Sequence, residues 1–159
     1  YCYFLPVLYI PYLILKANKF DHNPPKKSRK YVVAFSMVIV AVIASFMVYG
    51  SAPADIKVKG NKLVFTGMYG TSRALREISE IRLSDTLPDV TLRLNGFSMG
   101  GTNKGWFKLR EGGLCLMFLA SHTKPYIVFT EKSGKEIFFN SKSSILTEAL
   151  YQELKTLIK

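Results

Sequence analysis

The chain has 159 residues, room for about one domain beside a membrane segment, and 48% of them are hydrophobic. Its formal net charge of +11 invites a nucleic-acid reading. However, nearly half of the excess lies in one short stretch: residues 16–30 hold six Lys/Arg against Asp21 alone. A basic run between apolar segments is a membrane-topology signal before it is a ligand patch, and no aromatic–basic motif of a nucleic-acid module appears.

Residues 1–15 are uncharged and apolar, but short for a span, and Pro6 and Pro11 would kink a helix. They read as a truncated transmembrane helix, with a re-entrant or interfacial segment as the alternative, and the opening at Tyr1 rather than Met reads as a fragment of a longer protein. Residues 16–30 read as a basic loop, because Pro24-Pro25 cannot continue a helix. Tyr31 to Tyr49 is the strongest signal. It has nineteen residues with no charge, enough at about 1.5 Å per residue to cross most of a ~30 Å hydrocarbon core. Tyrosines at both ends suit the headgroup level. A transmembrane helix is therefore predicted over 31–50. Short Lys/Arg-rich loops stay cytoplasmic, so the domain beyond the span is expected outside the cell membrane. Lys57, Lys59 and Lys62 oppose that assignment.

Beyond Pro53 the pattern turns to strands. Ile56–Val58 and Leu63–Phe65 flank a two-residue turn at Gly60-Asn61. Ile78, Ile81 and Leu83 follow, and then Val90, Leu92 and Leu94 are expected on one face, with Thr91, Arg93 and Asn95 on the other. A glycine-rich loop at 96–102 leads to a strand over Trp106–Leu109. Leu114–Leu119 is apolar on both faces, as in a strand covered on both sides. Tyr126–Phe129 and Ile137–Phe139 flank a turn at Ser133-Gly134. From Ser141, helical spacing of Ile145, Leu146, Ala149, Leu150, Leu154, Leu157 and Ile158 predicts one amphipathic helix, packed by Leu146, Leu150 and Leu154. The fold class is thus N-terminal transmembrane helices, then about seven antiparallel strands in a strongly bent sheet or partly open barrel, and a C-terminal helix.

No catalytic constellation emerges. In Gly96-Phe-Ser-Met-Gly-Gly-Thr102 the lysine of a phosphate-binding loop is replaced by Thr102, and no helix follows. His122 and Cys115 have no second pair at metal-ligand spacing. Cys115 lies inside an apolar strand, which disfavours its thiolate, and no disulfide can form within the domain because it is the domain's sole cysteine. The pairs Glu77/Glu80 and Asp85/Asp89 are interspersed with bases, as on a solvated face. Neither enzyme activity nor a cofactor is expected.

Gly67-Met-Tyr-Gly70, Ile81–Pro88, Arg93–Gly101, Gly105-Trp-Phe-Lys-Leu109 and Pro125–Phe129, in this order, cover most of residues 55–159. They resemble the bacterial pleckstrin-homology-like (PH-like) domains found behind transmembrane helices. The resemblance implies a fold and a bacterial membrane context but no established activity. Eukaryotic relatives bind phosphoinositides through a basic strand–loop–strand. Lys57, Lys59 and Lys62 flank the first turn here, but bacterial membranes generally lack those lipids and the site is not carried over. Two functions follow as expectations. The first is a membrane-anchored interaction module binding a protein, a peptide or the lipid surface, with Phe97, Lys104 and Trp106 as the candidate surface. The second is a structural or regulatory subunit of a larger membrane assembly contacting partners through its transmembrane helices, for which Ala34, Ala41 and Ser45 supply a small-residue stripe.

Overall fold

The computed structural model describes residues 26–158, and side chains from Lys30 onward. The apolar segment 1–15 and most of the basic loop lie outside the described residues. The chain divides into two compact units, Tyr1–Met47 and Val48–Lys159.

Helix α1 is described over Lys26–Ser51, so residues 26–30 are helical rather than part of a loop. Pro53 stops it by removing the next donor. The stretch Lys30–Ser51 is long and apolar enough to cross a membrane, with a mean hydropathy of 2.6, and an 18-residue window within it has no buried residue. The hydroxyl of Ser45 donates back to Ala41 O at 2.8 Å, which satisfies it inside the helix.

In the second unit, β1 (Ile56–Lys59), β2 (Lys62–Phe65) and β3 (Thr71–Ala74) form an antiparallel sheet, joined first by the expected Gly60-Asn61 turn. A 3-10 turn, Leu75–Glu77, leads to β4 (Ile78–Ser84), β5 (Val90–Met99), β6 (Thr102–Leu109), β7 (Leu114–Leu119), β8 (Tyr126–Glu131) and β9 (Glu136–Asn140). These six strands lie in the order β4-β8-β9-β7-β6-β5, and α2 (Ser144–Leu157) ends the unit. Two expectations are corrected. Among the described residues there are nine strands in two sheets rather than about seven in one, since β3, Thr-Ser-Arg-Ala, carries no apolar alternation. The sheet is also not wholly antiparallel, because β9 inserts between β8 and β7 and runs parallel to β7.

Period-two alternation gives the larger sheet two buried faces. Leu116, Phe118, Ile127, Phe129, Ile137 and Phe139 face Ile56, Leu63 and Phe65 of the small sheet and Leu154 of α2. The Phe65 ring stacks on Phe118 at 5.2 Å and meets Phe129 edge-on at 5.4 Å. The opposite face holds Cys115, Met117, Leu119, Val128 and Phe138, with Leu87 from the β4–β5 connection against them. No pairing joins β4 to β5, so the sheet is not a closed barrel. On α2 the inward residues are Thr147, Leu150, Tyr151 and Leu154. Leu146, expected in the core, is 61% exposed. The buried Thr147 sets this phase: its hydroxyl donates to Ser143 O at 2.9 Å and accepts the N–H of Ser141 at 3.1 Å.

Because β9 lies between β7 and β8, the 120–125 connection must cross the end of β9, and Asn140 holds it there. The side chain accepts the N–H of Ala120 at 2.9 Å and donates to the carbonyls of Ser121 and Thr123 at 3.0 and 2.7 Å. Asn140 is 1% exposed, so Asn140→Ala is expected to cost about 1–3 kcal/mol for the orphaned N–H alone. An unchanged denaturation midpoint would contradict that role.

Candidate functional site

The hairpin β5–β6 carries the three residues singled out by sequence, and backbone crowding determines its shape. Two bulges interrupt its register, between Val90 and Leu92 and between Arg93 and Asn95. Val90 therefore pairs with Leu109 and Leu92 with Lys108, and consecutive β6 residues point to opposite faces. The expected single row of Val90, Leu92 and Leu94 does not exist, and all three are exposed. Gly96 and Gly105 face each other so closely that a Cβ on Gly105 would lie 2.2 Å from Asn95 O, and Gly105 has φ +115°. Only glycine fits there. Residues 96–102 are thus the end of a strand, a Gly100-Gly101 turn and the start of the next strand, rather than a loop.

Directly across from Phe97 stands Lys104. Its side chain is fully buried, which corrects the expectation of an exposed cation. The ammonium donates to Gly50 O at 2.9 Å and also to Ala52 O. These carbonyls lie at the end of α1, where the last acceptors of a helix lack partners and the dipole favours a cation. The last turn of α1 has no basic residue of its own, and β6 supplies one. Burial, with a smaller contribution from the nearby charge of Lys142, holds the Lys104 amine below the usual lysine range. The Phe97 ring lies flush on Gly50, where a Cβ would come within 2.5 Å of it. Trp106 is half-buried against the core of the same face. Phe97 and Lys104 are therefore brought together at the end of α1, with Lys104 closed to solvent, while Trp106 follows on the same face of β6, packed against the core. Sequence reasoning missed this because an alternating lysine in a strand reads as solvated. The only hint was a long helix ending without a cation.

The remaining candidates are dispersed. Cys115 is fully buried, and burial pushes its thiol up to about 12. His122 lies in the 120–125 connection, beside Gly101. Glu77 accepts the N–H of Ala74 at 3.3 Å, and Asp89 lies 3.7 Å from Arg110 on an exposed surface.

A second feature arises where β3 and the 3-10 turn meet the β8–β9 turn, segments far apart in sequence. An open recess of about 630 Å³ is lined by Arg73, Arg76, Lys132 and Lys135, with Glu77 and Glu131. Arg73 is committed to Glu131 at 2.6 Å, which leaves a wet, mildly basic concavity.

No family model, curated protein or solved structure matches this chain. Its class is therefore defined by what the fold presents: one helix long and apolar enough to cross a membrane, leading into a two-sheet β unit closed by a C-terminal helix.

Proposed function

We propose that the chain is a membrane-anchored, non-catalytic interaction module of PH-like type, with α1 crossing the bilayer, its basic N-terminal flank in the cytoplasm and the β unit outside. The observation that carries this reading is α1 itself: a 22-residue apolar stretch containing an 18-residue window with no buried residue. An exposed apolar surface of that length needs a cover, and hydrocarbon is the cover that its length fits. Two sheets packed through Phe65 and Phe118, with a C-terminal helix on the same core, support the PH-like kinship. The parallel β7–β9 pair departs from the all-antiparallel pattern the resemblance implied.

Alkaline carbonate extraction of membranes from cells making the full chain tests the anchoring. Retention in the pellet is expected, whereas release into the supernatant would contradict it.

A further inference from the structure

Beyond helix α1, the two most exposed large apolar side chains described are neighbours. Ile145 is 76% and Leu146 61% exposed, in the first turn of α2. They are not on a fraying end. Thr147, which follows them, is fully buried and hydrogen-bonded at both sides, so the phase of the helix forces the pair outward. Single exposed leucines are ordinary, but an adjacent pair fixed in this way needs a reason.

Their position in the fold supplies one. Across the sheet, Asn103 pairs with Leu119 and Leu119 with Asn140, which places Asn103 and Asn140 about 10 Å apart at the same sheet end. The hydroxyl of Ser121 donates to Ser141 O at 3.2 Å and Thr102 donates to Ala120 O at 3.3 Å, tying the start of α2, the 120–125 connection and the β5–β6 turn into one rim. Lys104, next to Asn103, bonds the carbonyls of Gly50 and Ala52, where the apolar helix ends. Met99, at the hairpin tip and 39% exposed, is two residues from Phe97, whose ring lies on Gly50. The exposed apolar rim and the point where the chain leaves its span therefore occupy the same end of the β unit. Exposed cations, Lys124 and Lys142, flank the rim and suit headgroup phosphates.

We propose that Ile145, Leu146 and Met99 insert into the headgroup–acyl boundary of the bilayer that α1 crosses, so that the ligand of this rim is the lipid surface. The proposal rests on the membrane-anchored reading. A weak contact suffices, because the tether keeps the rim at a high effective concentration beside the lipid.

The test uses the full chain, with Cys2→Ser and Cys115→Ala, in vesicles of phosphatidylethanolamine and phosphatidylglycerol with brominated acyl chains. A fluorophore is attached at Leu146→Cys or, as a control at the far end of the sheet, at Ser133→Cys. Bromolipid quenching of the label at 146, at a depth of about 5–10 Å, with none at 133, is expected. Ile145→Asp should abolish the quenching at 146 without altering the circular dichroism. If both labels are quenched only by aqueous iodide while the chain resists carbonate extraction, the rim proposal falls and the anchoring stands. If the label at 146 is shielded from iodide yet untouched by bromolipid, protein covers the rim and the proposal is overturned. If carbonate releases the chain, both readings fall together.

Discussion

Replacing Phe65 by Ala is expected to destabilise the β unit by about 3–5 kcal/mol, the range for a buried Phe truncated to Ala. Phe65 is 1% exposed and is the aromatic link between the sheets, stacked on Phe118 and edge-on to Phe129. Small relaxation cannot refill the space, because the neighbours on either side, Leu63 and Phe118, are themselves fully buried and fixed in opposite sheets. The loss should show as a lowered denaturation midpoint. It should also accelerate amide exchange in β1–β3, since those strands hold the larger sheet mainly through this cluster. A variant with an unchanged midpoint would mean that the small sheet is held by something other than Phe65.

The second large effect is expected at Lys104. Lys104→Ala removes a buried stem and both donors to the end of α1, and should cost about 2–5 kcal/mol, as other large-to-Ala core changes do. Lys104→Met restores the volume but leaves the carbonyls of Gly50 and Ala52 without their donor, for about 1–3 kcal/mol. The two variants also differ from the parent in pH dependence. The Lys104 amine is held below its ordinary 10.5 in the folded chain. Between the lowered value and 10.5 the unfolded chain therefore binds more protons, and stability contributed by this residue rises with pH. The Cys115 thiol, raised from 9.0 to about 12, acts oppositely, and stability from it falls as pH climbs from 9 toward 12. Cys115 is common to the parent and Lys104→Met, so it cancels in their difference. The gap in stability between these two chains should widen as pH approaches 10.5, and a gap independent of pH would remove the buried amine from the account.

What could be read from sequence was what single segments encode. The uncharged run through Tyr49, the Gly60-Asn61 turn and the both-sided apolarity of Leu114–Leu119 each state their character locally: the first is one exposed apolar helix, the second joins β1 to β2, and the third is buried on both faces. What could not be read depends on partners distant in the chain. The alternation at Val90–Leu94 is cancelled by two bulges that only the β6 register reveals. The insertion of β9 beside β7 leaves no mark in either strand, although Asn140, a polar residue closing an apolar strand, is the device that makes it possible. At the candidate site, Phe97 and Trp106 are legible as large aromatics in neighbouring strands, but the seating of the Phe97 ring on Gly50 and the burial of Lys104 are not. Helical spacing in α2 admits Leu146 and Thr147 equally well in neighbouring phases, and one hydrogen-bonded threonine decides between them.

Above all, α1 is proposed to cross a bilayer and to separate its basic flank from the β unit. The most direct measurement places one cysteine on either side of the helix, Ser28→Cys or Ser133→Cys, in the full chain freed of Cys2 and Cys115. Each chain is then treated with a membrane-impermeant thiol reagent on intact cells and again after the membrane is opened. The basic flank should stay cytoplasmic, so the cysteine at 133 is expected to label in intact cells and the one at 28 only after opening. Labelling of both positions from the same side would show that α1 does not cross, and would contradict the account.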